Sequence, residues 1–414
     1  MSAPEVITLG CRLNIAESDA LRKLLVGRDD LIIVNSCAVT NEAVRHTRQA
    51  IRRAKRAHPE KTVMVTGCAA QIDPQRFAAM PEVAGVIGNH DKYDRAAFLF
   101  DEGIASSRVS DIMAVRETAP HMVSAFADRT RAFVEIQNGC DHRCTFCIIP
   151  FGRGNSRSVP AGAVVDHIAA LVERGFAEVV LTGVDVTSYG ADLPGSPTLG
   201  MLVARILEHV PQLRRLRLSS LDGIEIDARL FELLTQHERV MPHVHLSLQA
   251  GDDMILKRMK RRHSAAQAIK LVERLKVSRP EIAIGADIIA GFPTEDDAMF
   301  ARSLALIDEC QIVHAHVFAY SAKDGTPAAR MPQVDGGIVK ARAKALREKA
   351  SAVHDNWKAA LIGTRQSVLV ENDGKRGHAE NFAAVTLDRP APPGSVVAVT
   401  LSLCDGALIG SIAA

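Results

Sequence analysis

The sequence predicts an α/β protein in three parts. These are an N-terminal doubly wound parallel sheet, a central partial (βα)6 TIM-like barrel, and a small C-terminal antiparallel β-barrel. Three observations predict this order. Short apolar, β-branched runs alternate with helical stretches over the first hundred residues. A longer series of the same units fills the middle of the chain. After one long helix the texture changes to alternating strands separated by Gly, Asn and Pro. A length of 414 residues allows two or three domains, each with its own core. The expected boundaries are 1–103, 126–356 and 360–414, with a linker over 101–130 that shows little periodicity.

In the first part, Val6–Leu9, Leu31–Ser36 and Thr62–Gly67 read as buried parallel strands. Helices are expected over Ala16–Val26 and Glu42–Ala57. The second has Val44, Thr47, Ile51 and Ala54 on one face and its arginines on the other. In the middle part the strand candidates are Ala132–Gln137, Glu178–Gly183, Leu213–Ser220, His243–Gln249, Ala283–Phe292 and Val313–Ser321. Helices such as Ala161–Arg174, Ala265–Val277 and Asp297–Glu309 separate them. A long helix is expected over Gly337–Leu361. The runs TRQSVLVEN, HAENFAAVTLD and SVVAVTLSL then predict a small barrel of about 50 residues.

Composition is that of an ordinary globular protein, with 47% hydrophobic and 24% charged residues and a mean hydropathy of +0.05. No run of 18 or more apolar residues appears, so no membrane span is expected. The N-terminus lacks a basic head followed by an apolar core, and a cytoplasmic location is expected. Net charge is only +2, so nothing global announces a nucleic-acid binder. Basic residues are nevertheless clustered. Val44–His58 holds six Arg/Lys and no acid, and Lys257–His263 holds five. Each is either a solvated helix face or a contact for a polyanion. Aromatics are 4%, so no stacking platform for single strands is evident.

Eight cysteines in such a chain point to metal binding or catalysis rather than disulfides. Each of the first three strands is followed at once by one, in TLGC (Cys11), VNSC (Cys37) and VTGC (Cys68). Parallel strands point the same way, and open α/β sheets bind ligands at the C-terminal edge. These three are therefore expected to converge. Three more, Cys140, Cys144 and Cys147, stand in GCDHRCTFCIIP, directly after the first strand of the central barrel, where barrel sites lie. Three thiolates are one short of a closed structural site. Zinc with His142 as a recruited fourth ligand is one reading. A cubane cluster with one open iron is the other, since an open metal position is what a catalytic site keeps. Cys310, in an apolar helix, and Cys404, in a strand, are expected in the core. His243 and His245 alternate on one strand, with nothing to mark them as a metal pair. GADIIAG is no dinucleotide fingerprint, because its glycines do not open a helix at the right offsets.

The C-x₃-C-x₂-C spacing resembles the radical S-adenosylmethionine superfamily. With TLGCRLNIAES, VNSCAVTNEA, VTGCAAQ and IQNGCDHRCTFCIIPFGRGNSRS together, the chain resembles the methylthiotransferase family. The resemblance runs on through LTGVDVTSYG, LRLSSLDGIEI, HLSLQAGDDMILKRMKRRH, GADIIAGFPTE and HVFAYSAKDGTPAARMP, over essentially the whole chain. It implies two [4Fe-4S] clusters, an auxiliary one on Cys11, Cys37 and Cys68 and a radical one on Cys140, Cys144 and Cys147. S-adenosylmethionine (SAM) would take the open iron of the second as cosubstrate.

The implied mechanism uses two SAM per product. One methylates a sulfur carried on the N-terminal cluster. The other is cleaved to a 5′-deoxyadenosyl radical that removes a hydrogen from the acceptor carbon. That C–H bond has no useful acidity, so histidines and paired carboxylates are given no catalytic role. The family acts on isopentenyladenosine in tRNA, on an aspartate of a ribosomal protein, or on threonylcarbamoyladenosine at position 37 of tRNA. VNSCAVTNEAVRHTRQAIRRAKR, CTFCIIPFGRGNSRS and YSAKDGTPAARMP most resemble the third class.

The resemblance also places Phe146 beside the SAM adenine, with loop packing as the alternative. Gly183, Asp185, Ser219, Gln249 and Asp287 would end successive barrel strands and lie near SAM. Asn14 and Glu17 would support the N-terminal cluster or start a helix. Arg153 and Arg157 would meet a carboxylate or phosphate, or lie on the surface. The implied partners are a tRNA anticodon stem-loop and an electron donor such as a flavodoxin or ferredoxin. The sulfur donor is left open, and no membrane is involved. The C-terminal segment, with GHAENFAAV, looks like the family's RNA-binding TRAM barrel, but it is short. It has few basic residues, chiefly Arg365, Lys375, Arg376 and Arg389, so the grip on RNA is expected to rest more on the basic helices. A non-catalytic, metal-dependent RNA-binding protein is the rival from another class.

Overall fold

A computed structural model describes residues 3–99, 106–116 and 130–413. The N-terminal sheet has five parallel strands in sequential order. They are β1 (Glu5–Thr8), β2 (Leu31–Ser36), β3 (Thr62–Gly67), β4 (Gly85–Ile87) and β5 (Ser106–Arg108). The helices are α1 (Arg12–Leu24), α2 (Asn41–Ala57), α3 (Cys68–Ile72) and α4 (Pro74–Ala78). Helices cover both faces, as expected. Leu21 of α1 packs on Leu31, Ile33 and Met64, while Ile51 and Ala54 of α2 pack on Ile32, Val34, Val63 and Val65. This follows from the strand period of two, which sends alternate side chains to opposite faces. The strand order itself never reverses. Most of the expected linker lies outside the described residues, but Ser106–Arg108 within it is a strand paired to β4.

α1 begins four residues earlier than its apolar pattern predicts. Its first turns bury Asn14, Glu17 and Ser18 beside Leu13 and Ala16, so a polar buried face hid the helical period. α2 starts where expected, capped by Thr40, whose hydroxyl accepts the Ala43 N–H at 3.1 Å.

The central part has strands β6 (Arg131–Glu135), β7 (Gln137–Asn138), β8 (Arg157–Ser158), β9 (Glu178–Thr182), β10 (Arg215–Leu218), β11 (His243–Gln249), β12 (Ala283–Ala290) and β13 (Ile312–Ala319). Helices α5 (Ile149–Arg153), α6 (Ala161–Glu173), α7 (Leu199–His209), α8 (Ala228–Gln236), α9 (Asp253–Arg258), α10 (Ala265–Ser278) and α11 (Asp297–Glu309) lie between them. β6, β9 and β10 form one parallel sheet, and β11, β12 and β13 another. Isolated parallel bridges, Leu216 to Val240 and Leu221 to Leu246, join the two. Among the described residues β6 and β13 do not pair, so the barrel is open along one side.

Alternation divides the barrel strands into two faces. Val179, Leu181, Leu216, Leu218, Val244, Leu246, Ile284, Ala286 and Ile288 point outward into the helical shell. The opposite face lines the lumen and is mainly polar, with Glu178, Arg215, Arg217, His243, His245, Asp287, His314 and His316 beside the apolar Phe133 and Val180. The N-terminal domain enters the open side. Ala16 of α1 packs on Phe133 and Val180 of the lumen face. Asn41, at the start of α2, bonds Ser321, Ala322 and Lys323 just after β13.

The long helix α12 (Gly336–Ala360) leads to β14 (Arg365–Val370), β15 (Arg376–His378), β16 (Ala384–Leu387), β17 (Val396–Cys404) and β18 (Ala407–Ile412). These close into a barrel around Val368, Val370, Val385, Val399, Leu401 and Leu408. Its pairings are antiparallel except β16–β18, which is parallel. Its loop at Ala379–Ala383 covers the N-terminal ends of the central strands. There Arg217 donates to the carbonyls of Glu380 (2.9 Å) and Ala379 (3.3 Å). Cys310 is buried as expected. Cys404 is exposed, because it ends β17 at the Asp405–Gly406 turn, where no layer lies above it. No described helix is long and apolar enough to cross a membrane.

Candidate active site

The strand-end cysteines do converge. Cys11 follows β1, Cys37 follows β2, and Cys68 opens α3. A Cβ on Gly10 would stand 2.9 Å from the Cys37 Cβ, so only glycine, here at φ +107°, lets the two loops meet. Cys11 and Cys37 each lie within electrostatic reach of Cys68. Cys140, Cys144 and Cys147 form the second group, mutually coupled and half-buried. The two groups face each other. α5, next to the second, packs on α3, with Gly152 against Cys68: a Cβ there would meet Cys68 Cβ at 3.2 Å. Cys147 feels the charge of Cys68 as well as that of Cys144.

Burial pushes the thiols of Cys37 and Cys147 up to about 11, and burial with Asp185 pushes Cys140 up further. Such sulfurs become thiolate ligands when a metal ion displaces the proton. The donor set fits two three-thiolate groups with an open position each. A closed zinc site at the second group is not built. His142 instead pairs with Asp185 (3.0 Å) and Glu225 (3.6 Å), which raise its pKa to about 10.

The second loop is held from three sides. Gln137 accepts the N–H groups of Val184 (3.1 Å) and Asp185 (2.8 Å) and donates to Gly139 O (2.7 Å) and Ser156. Thr145 donates to Arg258 O (2.7 Å), and its carbonyl accepts from Ala328. Arg261 lies 3.7 Å from Cys144 Sγ and donates to Asp222 (3.0 Å) and Ser247 O (2.9 Å). Arg262 binds Glu225 at 2.7 Å. Part of the second basic run is thus interior bracing rather than a solvated face.

The first group rests on Arg153, which is buried rather than superficial. Its Nε lies 3.2 Å from Cys68 Sγ, its Nη1 2.6 Å from Glu17 and its Nη2 2.7 Å from Asn14 Oδ1. Lys92 Nζ completes the cage, 2.8 Å from Glu17. Burial opposes a charge on Glu17, but Arg153 and Lys92 hold its carboxyl low. Burial opposes the charge of Arg153 too, and Cys68 and Glu17 keep it protonated. Asn14 also donates to Leu9 O (2.7 Å) and Ser36 O (3.0 Å), tying β1 to β2 beside their cysteines. Asn14 and Glu17 therefore support this group through Arg153. Lys92 escaped the sequence because nothing in GNHDKYD marks it. Arg157 is also buried, donating to the carbonyls of Asn155 and Arg153.

The remaining predicted residues divide. Gly183 and Asp185 follow β9 at the second group, with Asp185 Oδ2 3.6 Å from Cys140 Sγ. Gly183 is dictated by contact, since a Cβ would meet Gln137 O at 2.6 Å. Ser219 follows β10, and Gln249 ends β11 at φ +70°, a strained conformation for a non-glycine residue. Phe146 packs edge-on to Phe292 (6.3 Å) and keeps partial exposure. Asp287 does not end its strand. It lies mid-way along β12, because that strand continues to Ala290. Its Oδ1 meets His245 Nε2 (3.0 Å) and His316 Nδ1 (3.2 Å), which hold its carboxyl well below the usual range against burial.

An open parallel half-barrel with three cysteines after its first strand is what the radical SAM resemblance implies. Residues 134–307 match the radical SAM superfamily, and residues 4–88 match "Uncharacterized protein family UPF0004". A solved radical SAM methyltransferase, TsrM from Kitasatospora setae, shares the fold at TM-score 0.51 and 17% identity, over 77% of this chain and 70% of that one. The chain is 52% identical, over 93% of its length and 91% of the relative's, to the "Threonylcarbamoyladenosine tRNA methylthiotransferase MtaB" of Rickettsia prowazekii. It is 36% identical to the protein of that name from Bacillus subtilis (91% and 86% covered). It is 30% identical to the "tRNA-2-methylthio-N(6)-dimethylallyladenosine synthase" of Erythrobacter litoralis (96% and 94% covered). The chain belongs to the radical SAM methylthiotransferase family.

Proposed function

We propose that the protein modifies tRNA, replacing the hydrogen on carbon 2 of threonylcarbamoyladenosine at position 37 with a methylthio group and using two SAM per product. The observation that carries this is a polar lumen beneath two facing cysteine groups. A dimethylallyl side chain calls for apolar walls, whereas a threonylcarbamoyl chain carries a carboxylate, a hydroxyl and urea N–H groups. His245, Asp287 and His316 offer partners for such groups. The names of the relatives at 52% and 36% identity agree.

Iron–sulfur clusters on the two groups, when bound, supply the single electron that cleaves SAM and a seat for the transferred sulfur. Cys140, Cys144 and Cys147 would hold one, and Cys11, Cys37 and Cys68 the other. Gln137 and Thr145 keep the second loop in place. Arg153 keeps positive charge at Cys68. α1 and the N-terminus of α2 pack along the open side of the barrel. Gly183, Asp185, Ser219, Gln249 and Phe146 would surround SAM. The anticodon stem-loop would lie along the exposed arginines of α2, and a flavodoxin- or ferredoxin-type donor would supply electrons.

The test is anaerobic turnover with SAM, reductant and tRNA bearing threonylcarbamoyladenosine, read by nucleoside mass spectrometry. A product heavier by one methylthio group, absent with Cys140→Ala and with Cys68→Ala, is the expected result. An unchanged tRNA with 5′-deoxyadenosine still formed redirects the reading to isopentenyladenosine or a ribosomal protein. No 5′-deoxyadenosine with both clusters loaded refutes it.

A further inference from the structure

Arg12 follows Cys11 directly, and its side chain enters the lumen with the first turn of α1. There three guanidinium groups surround the Phe382 ring, with their carbons 5.7 Å (Arg12), 5.4 Å (Arg131) and 5.0 Å (Arg217) from its centroid. Two of the three have their own carboxylates. Arg131 binds Glu371 at 2.6 Å, and Arg217 binds Glu178 at 3.0 and 3.1 Å. Arg12, among the described residues, makes no hydrogen bond or ion pair to any side chain or carbonyl. Arg131, Arg217, Glu178 and Asp287 are the charged groups around it. A partly buried guanidinium whose N–H groups have no hydrogen-bonded acceptor gains a charge-assisted pair when a carboxylate arrives.

We infer that Arg12 is a specificity-determining residue that receives the carboxylate of the threonyl group on the substrate base. The inference rests on the threonylcarbamoyladenosine reading above and adds to it the residue that reads the side chain. Arg12 is chained to Cys11, so a base whose carbon 2 is presented to the cysteine groups directs its N6 substituent into the space Arg12 shares with His245, Asp287 and His316. A guanidinium fork matches a carboxylate with two parallel N–H bonds. It gives a dimethylallyl group no partner.

The test measures binding, without turnover, to cluster-loaded protein kept free of oxygen and reductant. The probes are fluorescent anticodon stem-loop RNAs whose position 37 is threonylcarbamoyladenosine, its threonine methyl ester, or plain adenosine. The wild type is expected to bind the acid at least about tenfold more tightly than the ester, the scale of one charge-assisted pair. Arg12→Met is expected to erase that ratio while binding the plain RNA as the wild type does. Arg12→Lys, with a charge but no fork, is expected to keep part of it. A wild-type acid-to-ester ratio near one overturns the inference and needs no variant. So does a ratio that survives in Arg12→Met, or a loss spread equally over all three RNAs. A wild type that does not distinguish threonylcarbamoyladenosine from plain adenosine refutes the substrate reading itself, and the inference falls with it.

Discussion

At the residue scale the site depends on charges that are buried only because they are paired. Arg153 bridges Cys68, Glu17 and Asn14 across the boundary between the N-terminal sheet and the barrel. Removing it leaves Glu17 buried with Lys92 as its remaining ion-pair partner among the described residues. Arg153→Met is expected to destabilise the fold by about 3–5 kcal/mol, the usual cost of breaking a buried pair from one side. Arg153→Lys is expected to recover little, because one ammonium does not span three acceptors. Unfolding in urea measures both. Iron analysis of either variant should show loss from the N-terminal group, about half of the total in a two-cubane protein. Full iron retention with unchanged stability would remove Arg153 from this role.

At the scale of elements, α2 shows how one helix serves two purposes. Thr47, Ile51 and Ala54 are buried against β2 and β3. The other face carries Arg45, Arg52, Arg53 and Arg56, all exposed, with Arg48 partly so. Arg45 binds Glu42, and Arg52 lies 3.7 Å from Glu82, which leaves Arg48, Arg53 and Arg56 the freest for phosphates. Changing these three to Glu is expected to weaken tRNA binding uniformly across sequences. It should also flatten the salt dependence, by about one unit of log–log slope for each phosphate no longer neutralised. Thermal unfolding should barely change, since the buried face is untouched. A tRNA affinity measured over a salt series decides it, and an unchanged slope would move the RNA elsewhere.

The whole molecule is fastened at the floor of the lumen, where the C-terminal loop meets the central strands. Glu178 is fully buried and binds both Arg217 and Arg215. Burial opposes its charge, but the two arginines hold its pKa down to about 2. One carboxylate between two guanidinium groups does not satisfy both, and burial with Arg217 nearby pulls Arg215 down to about 10. A carboxyl with a depressed folded pKa contributes stability that is present above its unfolded value and lost as pH falls through the folded one. Stability should therefore fall between about pH 4.5 and pH 2, by about 3 kcal/mol from this group. Glu178→Gln should be less stable at pH 7 and should lose that part of the acid slope. Denaturation across this range, compared between the two proteins, checks it.

Much of this architecture was legible in the chain. TVMVTG carries the apolar run of a buried strand, and HVHLSLQ and RLRLSS carry the strand period, with the lumen's polarity written in their alternation. Cysteines placed after strands declare where they meet, because parallel strands share a direction. Other features had no local signature. α1 starts early behind a polar buried face, SSR reads as linker yet pairs with β4, and Cys404 has a strand context without a layer above it. Asp287 sits mid-strand, and its partners His245 and His316 come from the strands on either side.

The sequence by itself determined the three-part order, both cysteine groups and the resemblance to the family, since strand period, strand-end cysteines and the motifs are each read from short stretches. Only the tertiary structure decided which charges are partners. Arg153 with Glu17, Lys92 with Glu17, Arg217 with Glu178, and Arg12 beside Arg131 and Arg217 around Phe382 are relations between residues far apart in the chain. Burial and pairing are properties of what the folded chain brings alongside, and no window along the sequence contains both members.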